Sequence, residues 1–96
     1  MRRRLLECIR HAVRAQRYDV TKHAVDEMAE DGLDIVDVET AILNGTIAKT
    51  QKDDPRGARY SFHGIAADGV TRVGSTGRFT ETGRYLIITA YEVTDE

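Results

Sequence analysis

The sequence predicts an α+β domain in which three N-terminal helices pack on one face of a three- to four-stranded antiparallel sheet. Up to Gly45 the apolar residues recur at helical spacing, and beyond Gly45 they alternate as in β-strands. The chain has 96 residues, 41% of them hydrophobic, which suits one modest core. We therefore expect a single domain over residues 1–96.

The predicted helices cover residues 2–16, 22–31 and 35–43. Thr21 has the hydroxyl that favours an N-cap, so it is expected to begin the second helix. Gly32 is suited to end that helix, because glycine adopts the left-handed conformation found after many helices. Asp34 is expected to cap the third helix.

The predicted strands cover residues 46–52, 59–66, 70–79 and 84–93. Pro55 and Gly57 break the pattern between the first two strands and indicate a turn. The last strand is apolar on both faces near its middle, which places it at the centre of the sheet.

Strand alternation assigns the side chains to two faces of the sheet. Tyr60 and Phe62 are expected beneath the helices, together with Leu86 and Ile88. The opposite face, called here the open face, is then expected to carry Arg59, His63, Arg72, Arg78, Thr89 and Tyr91. A slip of one residue in register would invert this assignment.

The net charge of -2 hides a strong pattern along the chain. Residues 23–47 carry seven acids and no Lys or Arg, whereas residues 1–22 carry seven bases and two acids, and residues 48–91 seven bases and four acids. A phosphate backbone could meet the first helix and the C-terminal half. The alternative is that these charges form ordinary solvated surfaces.

Several classes of site find no support in the sequence. The single cysteine, Cys8, allows no intramolecular disulfide or Cys-based zinc site and is expected to be a small core residue. The histidines lack metal-ligand spacing, and no phosphate-binding glycine loop is present. No apolar run approaches the ~20 residues of a membrane span. We expect a soluble cytoplasmic protein without a metal or cofactor.

The residues of the open face suit chemistry on RNA. Arginines bind phosphates and stabilise the charge that builds up during phosphoryl transfer, and His or Tyr can move protons to and from ribose and leaving oxygens. The catalytic candidates are His63, Arg59, Arg72, Tyr91 and His23, and the candidates for RNA binding are Arg78 and Thr89. The alternatives are an ordinary polar surface and, for His23, a structural role at the start of a helix.

The segments HAVDEMAEDGLDIVDVETAILNG, RYSFHGIAADG and LIITAYE resemble the domain-of-unknown-function family numbered 4258 over about residues 20–93. The matching positions are His23, Ala24, Met28, Gly32, Leu33, Asp37, Val38, Gly45, Ile88, Thr89 and Tyr91. One departure is Glu27, where family members often have arginine.

Members of that family look like RelE-type and MqsR-type toxins. The resemblance implies a RelE-like fold and a metal-independent endoribonuclease that cuts mRNA. It also implies a bacterial type II toxin–antitoxin pair, with an antitoxin of zinc-finger or helix-turn-helix type. The alternative function is a non-catalytic interaction module that binds a partner through the acidic segment 23–47 or a sheet edge.

Overall fold

The computed structural model describes residues 2–52 and 54–94, which form three helices and one five-stranded sheet. The helices are α1 (Arg2–Arg14), α2 (Lys22–Glu30) and α3 (Ile35–Asn44). The strands are β1 (Tyr18–Val20), β2 (Thr46–Gln51), β3 (Arg59–Ile65), β4 (Arg72–Phe79) and β5 (Tyr85–Glu92). The strand order is β1-β5-β4-β3-β2, with β1 parallel to β5 and all other pairs antiparallel.

The predicted α+β class is confirmed, but the arrangement differs from the prediction in two ways. The helices do not all precede the sheet, because β1 lies between α1 and α2. The sheet is five-stranded and mixed rather than three- to four-stranded and antiparallel. Sequence patterns miss β1 because it has only three residues and its partner β5 lies at the other end of the chain.

The predicted helix caps are confirmed. The Thr21 hydroxyl oxygen accepts a hydrogen bond from the Ala24 amide at 3.1 Å and also donates to the Ile88 carbonyl at 2.9 Å. Asp34 forms a capping box with Asp37, in which each carboxylate accepts from the other residue's amide. Thr21 therefore begins α2 and also fastens it to β5.

A single core lies between the helices and one face of the sheet. Its larger members are Ile9, Val13, Met28, Val38, Ile42, Phe62, Val73, Tyr85 and Ile87. The prediction that Cys8 belongs to this core is wrong, because the residue is exposed. It lies beside the apolar stripe of α1 and lines a surface groove with His11.

The expected position of Leu86 and Ile88 beneath the helices is also wrong. Tyr85 and Ile87 are fully buried there instead, whereas Leu86 and Ile88 are half-buried. The register between β4 and β5 shifts at Thr76 and Gly77, so that β5 contains one extra residue. Beyond this bulge the alternation of β5 is inverted, which returns Thr89 and Tyr91 to the open face.

Side chains from the helices cover both edges of the sheet where strand pairing ends. The Glu27 carboxylate accepts from the Ala90 amide at 3.1 Å, and Asp31 accepts from the Glu92 amide at 2.8 Å. At the other edge the Asn44 amide group binds both the N–H and the carbonyl of Ile65. These contacts satisfy backbone groups that would otherwise attract another strand.

Candidate functional site

The open face carries polar side chains from four strands. In register, Ser61 and His63 of β3 pair with Thr76 and Gly74 of β4, which pair in turn with residues 89 and 91 of β5. The charged residues on this face of β2, β3 and β4 are Lys49, Arg59, Arg72 and Arg78. All four are basic, so β2, β3 and β4 present a positive surface on the side away from the acidic helices. On the same face of β1, the acidic Asp19 is paired with Arg84.

His63 and Tyr91 meet around Gly74. His63 pairs with Gly74, and Gly74 pairs with Tyr91, so the three residues form one row across β3, β4 and β5. The ring of Tyr91 lies over Gly74, because a Cβ atom at that glycine would be only 2.7 Å from the Tyr91 Cζ. Arg72 lies two residues along β4 on the same face. We call His63, Arg72 and Tyr91 the site cluster.

A surface cavity of about 270 Å³ adjoins the site cluster. His63 and Arg72 line it together with Ile65, Val93 and the segment 44–46 at the end of α3. Its remaining lining residue is Gly64. The cavity is large enough for a small polar group such as a phosphate with part of a ribose.

The position of α3 against the sheet shapes this cavity. The backbone of α3 approaches β3 directly at Gly64, where a Cβ atom would overlap the Ala41 carbonyl oxygen. Arg10 from α1 donates a hydrogen bond to the carbonyl of Gly45, at the C-terminal end of α3, at 2.9 Å. Its positive charge there also interacts favourably with the dipole of α3. Rigid elements therefore hold the wall of the cavity in place.

A row of hydroxyl groups runs beside the site cluster. The Ser61 and Thr76 hydroxyls lie 3.0 Å apart, and the Thr89 hydroxyl accepts from the Thr76 amide at 3.2 Å. Thr89, a candidate from the sequence, thus lies on the open face next to Tyr91, although its hydroxyl is engaged with the backbone of β4. The row is neutral and can donate or accept hydrogen bonds.

The structure places Arg59 and Arg78 at the opposite end of the open face from the site cluster. Arg59 Nε lies 3.4 Å from a carboxylate oxygen of Asp54, which is almost buried. Hydrogen bonds from Arg56, first of all from its backbone amide, and the positive charges of Arg56 and Arg59 lower the pKa of the Asp54 carboxyl. Arg78 donates to the Arg56 carbonyl at 3.3 Å. Neither arginine lies next to His63.

His23 does not join the site cluster. It lies on α2, beyond the outer edge of β5, whereas His63 is two strands further into the sheet, about 10 Å from β5. Its side chain is 67% exposed, and its Nε2 lies 3.5 Å from Glu27. The same Glu27 carboxylate binds the Ala90 amide, so this contact ties His23 to the edge of β5.

Sequence reasoning missed two residues of this surface. The sequence pattern assigns Asn44 only to the end of a helix, although this residue clamps Ile65 and lines the cavity beside His63. The pattern assigns Arg56 only to a turn, although it joins Arg78 at the far end of the open face. An asparagine at a helix end carries no signal for such a contact, because its partner strand begins 15 residues later.

A candidate metal site and a membrane-spanning helix are both absent from the part of the chain that the structure describes. Within it, no group of three or more His, Cys, Asp or Glu side chains could hold a metal ion. No helix there has the length and apolar character to cross a membrane.

The comparisons with known proteins give one match. The family described as "Domain of unknown function (DUF4258)" matches residues 20–92, which is most of the chain. No curated protein and no solved structure matches significantly. The matched region contains the whole site cluster and every strand of the sheet except the first part of β1.

Proposed function

The chain belongs to the DUF4258 family, and we propose that it is the toxin of a bacterial type II toxin–antitoxin pair, an mRNA endoribonuclease. The observation that carries the proposal is the convergence of His63, Arg72 and Tyr91 around Gly74 on a basic sheet face. The resemblance to RelE-type toxins supports it, and its site of action would be the cytoplasm, where mRNA is translated.

The site cluster offers the groups that RNA cleavage needs. His63 takes the proton of a ribose 2′-hydroxyl, and the freed oxygen attacks the adjacent phosphorus atom. The bond between phosphorus and O5′ breaks, and Tyr91 donates its proton to that oxygen. The products are a 2′,3′-cyclic phosphate and a 5′-hydroxyl, and solvent restores the two protonation states.

Arg72 has the electrostatic part in this scheme. Negative charge builds up on the non-bridging phosphate oxygens in the transition state, and a guanidinium group stabilises it with paired hydrogen bonds. Arg72 is exposed at the mouth of the cavity beside His63, so an RNA phosphate can reach it. None of these steps requires a metal ion.

The open face also offers contacts for unpaired RNA bases. Tyr91 is 37% exposed and presents a ring on which a base can stack. The hydroxyl row of Ser61, Thr76 and Thr89 lies alongside and can bind base edges or ribose hydroxyls. The proposed substrate is therefore single-stranded RNA.

Cleavage of labelled RNA by the purified protein in excess chelator tests this proposal. The wild type is expected to cut and leave cyclic phosphate ends. His63→Ala and Tyr91→Phe are each expected to lose about 100-fold or more in rate. His23→Ala is the matched control and keeps the wild-type rate, since that side chain lies outside the site cluster. Full activity of His63→Ala, or loss of activity with chelator, would contradict the proposal.

A cognate antitoxin, of zinc-finger or helix-turn-helix type, is the proposed partner. Expression of the chain alone is expected to arrest growth, and co-expression of the neighbouring small gene is expected to restore it. Arrest that persists with His63→Ala would point away from RNA cleavage as its cause.

A second candidate function is a non-catalytic module that binds a basic partner through its acidic helices. The observation that favours it is the exposure of Val25 and Val36, at 50% and 52%, on α2 and α3. Apolar residues surrounded by acidic ones suit a partner with complementary charge. Tight binding to the neighbouring gene product, without RNA cleavage or toxicity, is the result expected from this alternative.

A further inference from the structure

A second cavity of about 570 Å³ lies at the end of the open face away from the site cluster. It is lined by Pro55, Arg56, Gly57, Arg78 and Glu81, between the loop before β3 and the turn after β4. Two of its residues are arginines from different segments, which the fold brings together. Neither the catalytic scheme nor the family match assigns a role to this cavity.

The two cavities lie towards opposite ends of β4. Arg72 lines the first and Arg78 the second, and both lie on the same face of β4. Arg78 follows Arg72 by six positions, which corresponds to about 20 Å of extended strand. Between them on this face of β4 lie Gly74, which the Tyr91 ring covers, and Thr76, whose hydroxyl lies 3.0 Å from that of Ser61. An extended RNA strand of a few nucleotides could pass over the Tyr91 ring and Thr76 from one arginine to the other.

The turn at residues 54–57, which carries Arg56, is closed by its own hydrogen bonds. Arg78 donates to the Arg56 carbonyl at 3.3 Å, and Asp54 accepts from the Arg56 amide at 2.9 Å. The Gly57 amide donates to the Asp54 carbonyl at 3.0 Å, which closes the turn. Because this turn is already formed, its backbone loses little conformational entropy on binding.

The side chains that line the second cavity carry two positive charges, on Arg56 and Arg78, and one negative charge, on Glu81. Asp54 lies 3.4 Å from both Arg56 and Arg59, so it partly neutralises them. The Arg56 side chain is nevertheless 71% exposed and can turn toward a ligand. Glu81 lines the same cavity and limits its positive charge.

We propose that this second cavity binds a backbone phosphate of the RNA strand whose cleavage takes place at the site cluster. The inference rests on the proposed function and adds to it a preference of the protein for longer RNA substrates. RNA long enough to reach from His63 to Arg56 is bound more tightly than RNA that ends near the cleaved bond. The cavity supplies affinity and orients the strand along β4, whereas the chemistry stays with His63, Arg72 and Tyr91.

The test compares kcat/KM for a dinucleotide and for RNAs extended by several nucleotides on either side. The wild type is expected to have a higher kcat/KM for RNAs extended on one side of the cleaved bond than for the dinucleotide. Arg56→Ala combined with Arg78→Ala is expected to reduce that preference about tenfold, as for the loss of charged hydrogen bonds. The same variant lowers the salt dependence of RNA binding, by about 0.7 in the logarithmic slope for each phosphate that the protein no longer neutralises.

Two further variants make the test specific. Arg14→Ala removes one charge from the exposed surface of α1 and is expected to keep the length preference. Glu81→Gln removes the acid from the cavity and is expected to increase the preference. An unchanged length preference in the double arginine variant would overturn the proposed phosphate binding at the second cavity, while the proposed RNA cleavage at the site cluster would stand. If the wild type cuts no RNA, the proposed function fails and the cavity's role fails with it.

Discussion

Two tyrosine hydroxyls at the ends of β1 and β5 are in opposite situations. The Tyr18 hydroxyl donates to the Glu39 carboxylate, whereas the Tyr85 hydroxyl is buried without a hydrogen-bond partner among the described residues. Burial raises the pKa of Tyr85 above its ordinary value, since a charged phenolate would lie in the core. A buried hydroxyl without a partner lowers the stability of the fold.

We predict opposite effects when each hydroxyl is removed. Tyr85→Phe is expected to raise the free energy of unfolding by about 1 kcal/mol, because phenylalanine loses only the unsatisfied group. Tyr18→Phe is expected to lower it by about 1 kcal/mol, because phenylalanine cannot donate a hydrogen bond to Glu39. Urea unfolding measures both changes. If Tyr85→Phe lowers the free energy of unfolding instead, the Tyr85 hydroxyl of the wild type has a hydrogen-bond partner in solution.

Gly74 determines where the ring of Tyr91 lies. Gly74→Ala is predicted to displace that ring, since the new methyl group would lie 2.7 Å from Cζ. RNA cleavage is then expected to fall about 100-fold, as when a catalytic group is misplaced by about 1 Å. Circular dichroism shows whether the variant is folded, and kinetics then measure the cleavage rate of the folded protein. Wild-type cleavage by a folded Gly74→Ala protein would remove Tyr91 from the mechanism.

At the scale of elements, α2 covers the outer edge of β5 beyond the point where its pairing with β1 ends. Glu27→Ala is predicted to lower the free energy of unfolding by about 1 kcal/mol, because the Ala90 amide loses its acceptor. Glu27→Gln keeps an acceptor oxygen and is the matched control. Equal stability of Glu27→Ala and the wild type would mean that water replaces this hydrogen bond at no cost.

The turn between β3 and β4 gives a prediction about pH. Hydrogen bonds from the Thr71 hydroxyl, the Thr71 amide and the Val70 amide lower the pKa of the Asp68 carboxyl. This carboxylate therefore stabilises the fold above the pKa of an unfolded aspartate, about 3.9. The stabilisation is lost as pH falls through the lower folded pKa.

Asp68→Ala is accordingly expected to melt at a lower temperature than the wild type at pH 7. The gap between the two melting temperatures should narrow when the pH falls below about 3.9. Thermal unfolding of both proteins over a pH series checks this. A gap that stays constant at all pH values would show that the side chain acts without its charge.

The elements that sequence reasoning predicts well are those with local signals. Thr21 and Asp34 begin their helices because a cap is formed within three residues of the chain. The bulge in β5 has no such signal, since it arises where β5 meets Gly77 and where Thr21 binds Ile88. The prediction for Thr89 and Tyr91 reached the correct face although it missed this bulge, whereas the prediction for Leu86 failed.

At the scale of the whole molecule, the charges separate by layer. The acids of residues 23–47 lie mainly on α2 and α3, whereas the open face of β2 to β4 carries Lys49, Arg59, Arg72 and Arg78. Under the proposed function, the field of such a molecule would direct an RNA strand to the sheet and away from the helices. The proposed binding of a polyanion by a chain with net charge -2 depends on this separation.

Chemical-shift mapping of ¹⁵N-labelled protein with a 2′-O-methylated RNA oligonucleotide tests the central claim most directly. This RNA cannot be cut, because the attacking hydroxyl is blocked. We predict that the largest amide shifts fall on His63, Gly74, Thr76 and Tyr91, which share the open face. Shifts confined to α2 and α3, or no shifts at all, would contradict the assignment of the open face as an RNA-binding surface.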